Sequence, residues 1–543
     1  MAASDYPNAL ADPLPHRNAY PLRGRVLGIL VLMCLVLRAA MATRLTSVDP
    51  DGVLYIQLAR ALEAGAFSDG THGMGLNVYP VILMLLHRAG LDWEMAGIVW
   101  GVVIASLVVL PLYGWVRRQF NDRVALAAGV LYAVHPTAIA WSPEITRDPT
   151  FWFLITLTLY LLWRAVTEVR LRWFVAAGGP LVLAMLTRFE GLVLLIPFVL
   201  WTFWRLMALK TARPRLLLGA VLCVTAVPAA ALLAACLWLR VPVGELPLRL
   251  DPWVRFETWL KYVVGGGSTA LAGLNPLVPA DVTPMSIGEM LRQFFPIMTR
   301  GLGPAFALLM FAGLWFWRRI WARRDHQALF YAAIGVVVGI WVHLWYDRAI
   351  CPRYALSIVL LASPFAALAL VGLARRTVQL AEWLGWRARA KAAAAVLPVA
   401  LVAAIGVGTA MSSNQRPFAL RKLAAELGRW AHQGPWSAPM IVGPVGMTSI
   451  VHFYAGKGRY EAFRIDTADA PTIARLVDSY QPDILLLRTT RRIDSEGCEE
   501  LVARMTDRGF SVVDPVPRPP GSDPVVVLVR GEAGVRVAAR AAR

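Results

Sequence analysis

Charge is scarce in this chain. Only 16% of its 543 residues are Asp, Glu, Lys or Arg, against roughly 25% in an ordinary soluble domain. With 57% hydrophobic residues and a mean hydropathy of +0.55, there is too little polar surface to wrap a soluble core. The wealth of aliphatic and aromatic residues excludes intrinsic disorder. Cysteines are few and placed without chemical pattern. Cys34, Cys223 and Cys236 lie in apolar runs, Cys351 sits beside one, and Cys498 stands alone near the C-terminus. With no CxxC and no Cys/His cluster, neither a structural zinc site nor a disulfide framework is expected. A cleavable leader is not evident either: polar sequence runs to about Arg25, and no small-residue cleavage pattern follows the first apolar run. Repeats of solenoid period are also missing.

Long apolar runs are what the chain has instead. A helix crossing the hydrocarbon layer needs roughly 20 mostly apolar residues. Eleven runs are candidates, near 25–45, 95–116, 122–140, 149–167, 172–187, 189–206, 215–239, 298–320, 327–347, 352–374 and 392–411. The third and fifth are short, and Thr187-Arg188-Phe189-Glu190 alone parts the fifth from the sixth. The expected fold is a polytopic α-helical membrane protein.

Orientation follows from the arginines. One alternating set of connections carries Arg117, Arg118 and Arg123; Arg164, Arg170 and Arg172; Arg205, Lys210, Arg213 and Arg215; Arg318, Arg319, Arg323 and Arg324; and Arg375, Arg376, Arg387, Arg389 and Lys391. The positive-inside rule makes that set cytoplasmic. The formal net charge of +19 is then largely a topology signal, and no nucleic-acid partner is expected. An odd number of spans places a segment 1–24 in the cytoplasm and three segments outside: loops at about 46–94 and 240–297, and a tail over 412–543. The expected location is the inner (plasma) membrane, with the tail periplasmic or extracellular.

The first loop holds an amphipathic pattern from Asp51 to Leu62 and a short apolar stretch, Tyr79 to Leu86, expected at the interface. The second loop contains Trp253, Trp259 and Tyr262, followed by a Gly265–Gly267 run that suggests a turn. In the tail the apolar runs shorten to strand length, at 440–442, 484–487, 511–513 and 525–529, alternating with helical stretches at about 470–480 and 495–508. A small extracytoplasmic α/β domain with a mixed sheet is expected. Gly443-Pro444-Val445-Gly446 resembles a phosphate-cradling loop only loosely and reads better as a turn.

Acids and bases at the outer membrane face need a reason, because polar groups there are expensive. Asp49-Pro50-Asp51 follows the first span. Either acid suits a helix cap, and a capping carboxylate can also serve as a base. Ser142-Pro143-Glu144-Ile145-Thr146-Arg147-Asp148-Pro149 opens the fourth span, where Asp148 before a proline fits an N-cap. Capping leaves the crowding of Glu144, Arg147 and Asp148 unexplained. Arg188 and Glu190 can pair with each other, or Arg188 can reach headgroups. Arg348, Arg353 and Tyr354 sit between the ninth and tenth spans, where arginine forks can hold a phosphate. His135 and His343 read as packed helix-end histidines.

Asp51-x-x-x-Tyr55, Tyr79-Pro80, the Pro-Glu-x-x-Arg-Asp-Pro connection, Leu186-Thr-Arg-Phe-Glu-Gly191 and Pro352-Arg-Tyr354, taken in that order, resemble the GT-C membrane glycosyltransferases. The nearest group is the bacterial relatives of dolichyl- or polyprenyl-phosphate-mannose protein mannosyltransferases and of the lipid A aminoarabinose transferase. The resemblance covers about residues 20–410. It implies a GT-C transmembrane catalytic domain over 25–411, a polyprenyl-phosphate sugar donor, a protein, lipid or glycan acceptor, and contact with membrane lipids. It further implies Asp51 as catalytic base, with Asp49 able to share that role because Gly52 stands where relatives often have Glu. Asp148 is the counterpart of a second family acid. Arg147, Arg188, Arg353 and Arg348 are candidates for the donor phosphate, and Tyr55, Glu144, Glu190 and Tyr354 for support of the substrate. No metal ligand set is assigned, although a divalent cation is left open. A lipid or glycan transporter and a membrane scaffold with an outer binding domain are the competing readings. Charges gathered at one face rather than at the midplane favour the transferase over transport.

Overall fold

A computed structural model describes residues 23–66, 77–168, 170–188, 190–191, 287–316, 324–347, 350–412, 415–463, 469–488, 494–516 and 525–531, with the isolated positions 200, 207 and 230. The expected spans at 189–206 and 215–239 and most of the second outer loop lie outside the described residues. Two compact units divide the chain: residues 1–43 with 58–411, and residues 44–57 with 412–543.

The first unit is helical. Its helices are α1 (Arg23–Ala42), the last turns of α2 (Pro50–Glu63), α3 (Val78–Arg88), α4 (Trp93–Leu107), α5 (Val109–Gln119), α6 (Asp122–Ala133), α7 (Pro136–Trp141), α8 (Asp148–Glu168) and α9 (Leu171–Met185). They continue with α10 (Ile287–Leu302), α11 (Pro304–Phe316), α12 (Arg324–Asp347), a 3-10 turn (Pro352–Ala355), α13 (Leu356–Trp383) and α14 (Ala388–Ser412). Caps read from sequence chemistry set several starts. Asp92 accepts from the Glu94 and Met95 amides at 2.8 and 3.3 Å, Asn121 from Val124 N at 3.0 Å, and Asn77 from Tyr79 N at 2.9 Å.

Among the described residues, four stretches are long and apolar enough to cross a membrane: 24–42, 93–119, 352–383 and 388–412. Ile29, Leu32 and Val36 on α1 and Val396, Leu397 and Leu401 on α14 point outward, as lipid-facing positions do. The protein is thus a multi-pass membrane protein, largely helical, with a small sheet domain. Two expected spans are built differently. The run at 122–140 is α6 and α7, parted at His135-Pro136, because proline offers no amide for the i−4 carbonyl. The run beginning near 298 is the end of α10 and then α11, bent by 91° at Gly303. The φ of +73° at Gly303 is one that L side chains rarely adopt.

The second unit carries α15 (Gln415–Gln433), β1 (Met440–Pro444), α16 (Met447–Ala455), β2 (Arg459–Phe463), α17 (Ala470–Tyr480), β3 (Ile484–Arg488), α18 (Ser495–Asp507), β4 (Phe510–Val513) and β5 (Val525–Arg530). The sheet order is β2-β1-β3-β5-β4; β1 pairs in parallel with β2 and β3, and β5 antiparallel with β3 and β4. Val442, Leu485, Leu487 and Leu528 from the strands meet Ile473 and Val477 of α17 and Leu501 and Met505 of α18 in one core. The mixed sheet, its four expected strands and both expected helices are present. The strand β2 and the helices α15 and α16 are additions.

Candidate functional site

In the helical unit, three distant stretches converge on one carboxylate. Asp148 is the first residue of α8 and is only 2% exposed. Placed at a helix N-terminus, it also meets the positive end of the helix dipole. The Arg188 Nη1 donates to Asp148 Oδ1, and Arg353 Nε lies 3.1 Å from Asp148 Oδ2, in ion-pair contact but off the line of a hydrogen bond. Arg188 follows α9, which returns antiparallel beside α8, so the end of one helix delivers it to the start of the other.

The same Arg188 grips Glu190 in a bidentate pair along one edge of its guanidinium, Nε to Oε2 at 3.0 Å and Nη2 to Oε1 at 2.6 Å. Its guanidinium lies 4.4 Å from the ring centre of Tyr354, and that of Arg353 lies 4.8 Å from Trp141 and 5.6 Å from Tyr354. The Tyr354 hydroxyl and His343 Nε2 are 3.1 Å apart. The 3-10 turn over Pro352–Ala355 aims Arg353 and Tyr354 at this cluster. Asp148, Glu190, Arg188 and Arg353 are all buried, two anions against two cations. Buried charges of this kind persist only when matched and hydrogen-bonded.

Glu144 is also buried, in the connection leading to Asp148. That connection lies hard against α4: a Cβ at Gly101 would stand 2.2 Å from the Ser142 carbonyl oxygen. Arg147 differs from its neighbours. It is half-buried, and no carboxylate among the described residues pairs with it. Arg348 lies outside the described residues.

A further buried cation went unnoticed in the sequence because it sits inside an apolar run. Arg38 of α1 donates through Nε to Ser142 Oγ at 3.0 Å and through Nη1 to the carbonyls of Cys34 and Ala133 at 3.3 and 3.5 Å. Its guanidinium lies 4.9 Å from the Tyr132 ring centre. Its Nη2 has no partner among the described residues. The interruption of a hydrophobic run at position 38 was the available signal. His135, as expected, is packed at a helix end, its Nε2 2.8 Å from the Leu302 carbonyl.

The second unit holds the other predicted acids. Asp49 caps α2: its Oδ1 accepts from Asp51 N at 2.9 Å, and its carbonyl accepts from Val53 N at 3.0 Å. Its Oδ2 accepts from Arg421 Nη2. Asp51 stands in the first turn of α2, half-buried, and Tyr55 lies one turn on along the same face, fully buried. Among the described residues, no group of three or more His, Cys, Asp or Glu is gathered in metal-binding geometry.

The chain is similar to known proteins in sequence over part of its length and in fold over most of it. Residues 78–233 match the family profile of the dolichyl-phosphate-mannose-protein mannosyltransferases. A 168-residue stretch is 29% identical to the undecaprenyl phosphate-alpha-4-amino-4-deoxy-L-arabinose arabinosyl transferase of Pseudomonas aeruginosa, covering 28% of this chain and 31% of that protein. The chain thus matches about a third of the length of these curated relatives. In fold it is similar to ArnT from Cupriavidus metallidurans, solved with undecaprenyl phosphate, at a TM-score of 0.53 and 14% identity over 93% of this chain and 98% of that one. It is also similar to the oligosaccharyltransferase of Archaeoglobus fulgidus, at a TM-score of 0.54 and 15% identity over 85% and 68%. The resemblance drawn from the ordered motifs is met as a similarity: residues 78–233 resemble the mannosyltransferase family in sequence, and the chain resembles ArnT in fold.

Proposed function

We propose that this protein transfers a sugar from a polyprenyl-phosphate donor to an acceptor hydroxyl at the outer face of the plasma membrane. The observation that carries the reading is the buried cluster of Asp148, Arg188, Glu190 and Arg353, assembled from three stretches at the ends of apolar helices. The family match over residues 78–233 supports the same reaction class.

The donor already carries its leaving group. The acceptor oxygen attacks the anomeric carbon, the bond from that carbon to the phosphate oxygen breaks, and the electron pair leaves with the phosphate. Asp51 takes the acceptor proton as the new bond forms. Proximity and a fixed line of attack supply much of the acceleration. Single displacement inverts the anomeric centre. Arg188 and Arg353 are already neutralised by Asp148 and Glu190, so they act as fixed donors that keep the cluster in shape. Arg147, with no acid partner among the described residues, supplies the uncompensated charge that a departing phosphate needs. The arginine-rich connections stay in the cytoplasm, and the tail domain lies outside.

Reconstitution with a radiolabelled polyprenyl-phosphate sugar tests the reaction. Label in a new covalent product supports transfer; label that merely crosses the bilayer indicates a transporter instead. Asp51→Asn is expected to lower turnover by about 10²–10⁴-fold while the protein stays folded. Wild-type turnover in that variant removes Asp51 from the mechanism, and a product that keeps the donor's anomeric configuration removes the single displacement.

A further inference from the structure

The segment 44–57, which carries Asp49, Asp51 and the first turns of α2, packs as part of the C-terminal unit. Its ties there are specific. The Asp49 carboxylate is 6% exposed and works at both oxygens: one caps the Asp51 amide, the other receives Arg421, a residue 372 positions away. One residue earlier, Val48 N donates to the Tyr454 hydroxyl at 3.2 Å. The Arg429 guanidinium lies 5.0 Å from the ring centre of Tyr454. Gly446, at a φ of +85°, faces Pro50; a Cβ there would lie 3.4 Å from Pro50 Cγ. The Val445–Gly446 turn that follows β1 therefore abuts the start of α2, so the Gly443–Gly446 stretch, expected as a turn, is half strand and half turn.

These partners stand on a stiff platform. Arg421 and Arg429 occupy one face of α15, two turns apart. That helix approaches α16 so closely that a Cβ at Gly428 would meet the Val451 carbonyl at 2.5 Å. We propose that Arg421 is a positioning residue: by holding the Asp49 cap, it fixes the first turn of α2 and the direction in which Asp51 is presented. The C-terminal unit then has a part in presenting the proposed base, which lies within that unit. The physical reason is that a buried carboxylate losing a charge-assisted hydrogen bond is held less firmly in its capping geometry. A displacement of about 1 Å at a reacting group can cost ~10²-fold in rate. This inference rests on the assignment of Asp51 as base.

Two measurements on the full-length protein test it. In nanodiscs, hydrogen–deuterium exchange of the peptide spanning 46–57 is expected to run at least about tenfold faster in Arg421→Gln and near the wild-type rate in Arg421→Lys. Tyr454→Phe, which removes the acceptor for Val48 N–H and leaves the Asp49–Arg421 pair in place, gives a smaller acceleration of the same peptide. In a deletion strain, the envelope glycan lost on deletion is restored by wild-type protein. Arg421→Gln is expected to restore less than about a tenth of it and Arg421→Lys more than about half. Unchanged exchange in Arg421→Gln overturns the clamp. Faster exchange with full glycan recovery overturns its catalytic meaning. Full recovery with Asp51→Asn overturns the base assignment instead, an outcome that the exchange data distinguish from failure of the clamp.

Discussion

Helix α8 is held by arginine–carboxylate contacts at both ends, about 30 Å apart, and the two ends are built on different principles. At its start, Asp148, Arg188, Glu190 and Arg353 are sealed from solvent and balanced in charge. At its end, Glu168 accepts from Arg164 Nε at 2.9 Å, Arg118 Nη1 at 3.1 Å and Trp173 Nε1 at 2.7 Å. The Arg164 guanidinium stacks 3.4 Å from the ring centre of Trp173. This second cluster is about a quarter exposed and carries more cations than anions. The basic surplus at one end is what the expectation of a cytoplasmic helix end rests on. The matched burial at the other marks a place where charge is kept despite its desolvation cost.

The contrast can be broken most sharply at Arg188. Arg188→Ala leaves Asp148 and Glu190 short of their cation, and a stability loss of about 3–5 kcal/mol is expected, together with loss of transfer. Thermal unfolding of the detergent-solubilised protein measures the first. The double variant Arg188→Met/Glu190→Leu removes charge in balance. It should regain much of that stability, since apolar replacements of buried pairs are often tolerated, and yet remain inactive. Recovery of activity in the double variant would reduce the cluster to a packing device.

A smaller effect is expected at the far end. Glu168→Gln should cost no more than about 1 kcal/mol, as partly exposed pairs do. The hydrogen bond from Arg164 is the main force holding the Glu168 carboxyl down, to about 2 from a usual 4.5, against burial that raises it. Its stabilisation is therefore complete above about pH 4.5 and fades as the pH falls toward 2. The melting-temperature gap between wild type and Glu168→Gln should stay constant from pH 7 to about 5 and close below that.

What the sequence made legible was whatever depends on local pattern. Strands such as Ile484–Arg488 and Val525–Arg530 announce themselves as short apolar runs, and Asp148 before Pro149 announces a helix start. The strand Arg459–Phe463 does not, because this edge strand, reading Arg-Tyr-Glu-Ala-Phe, contains no apolar run. The helix Gln415–Gln433 was hidden by its mixture of Arg, Lys and Glu. Around the site, the residue types were legible and their partners were not. Arg188 and Glu190 are two positions apart and could be paired by eye, whereas Asp148 with Arg353, or Asp49 with Arg421, are joined only by the path of the chain.

Arg38 bears on how the chain is made. As α1 leaves the ribosome, its guanidinium enters the translocon with none of its long-range partners yet synthesised. An arginine at the very centre of an inserting helix carries a penalty of about 2.5–3.5 kcal/mol; Arg38, five residues past the middle of its span, carries a smaller one. The acceptors that relieve it, the Ala133 carbonyl and the Ser142 hydroxyl, arrive about a hundred residues later. The packing of α6, α7 and the connection after α7 against α1 is therefore what makes an arginine tolerable in that helix, and the span is worth more in the finished fold than by itself.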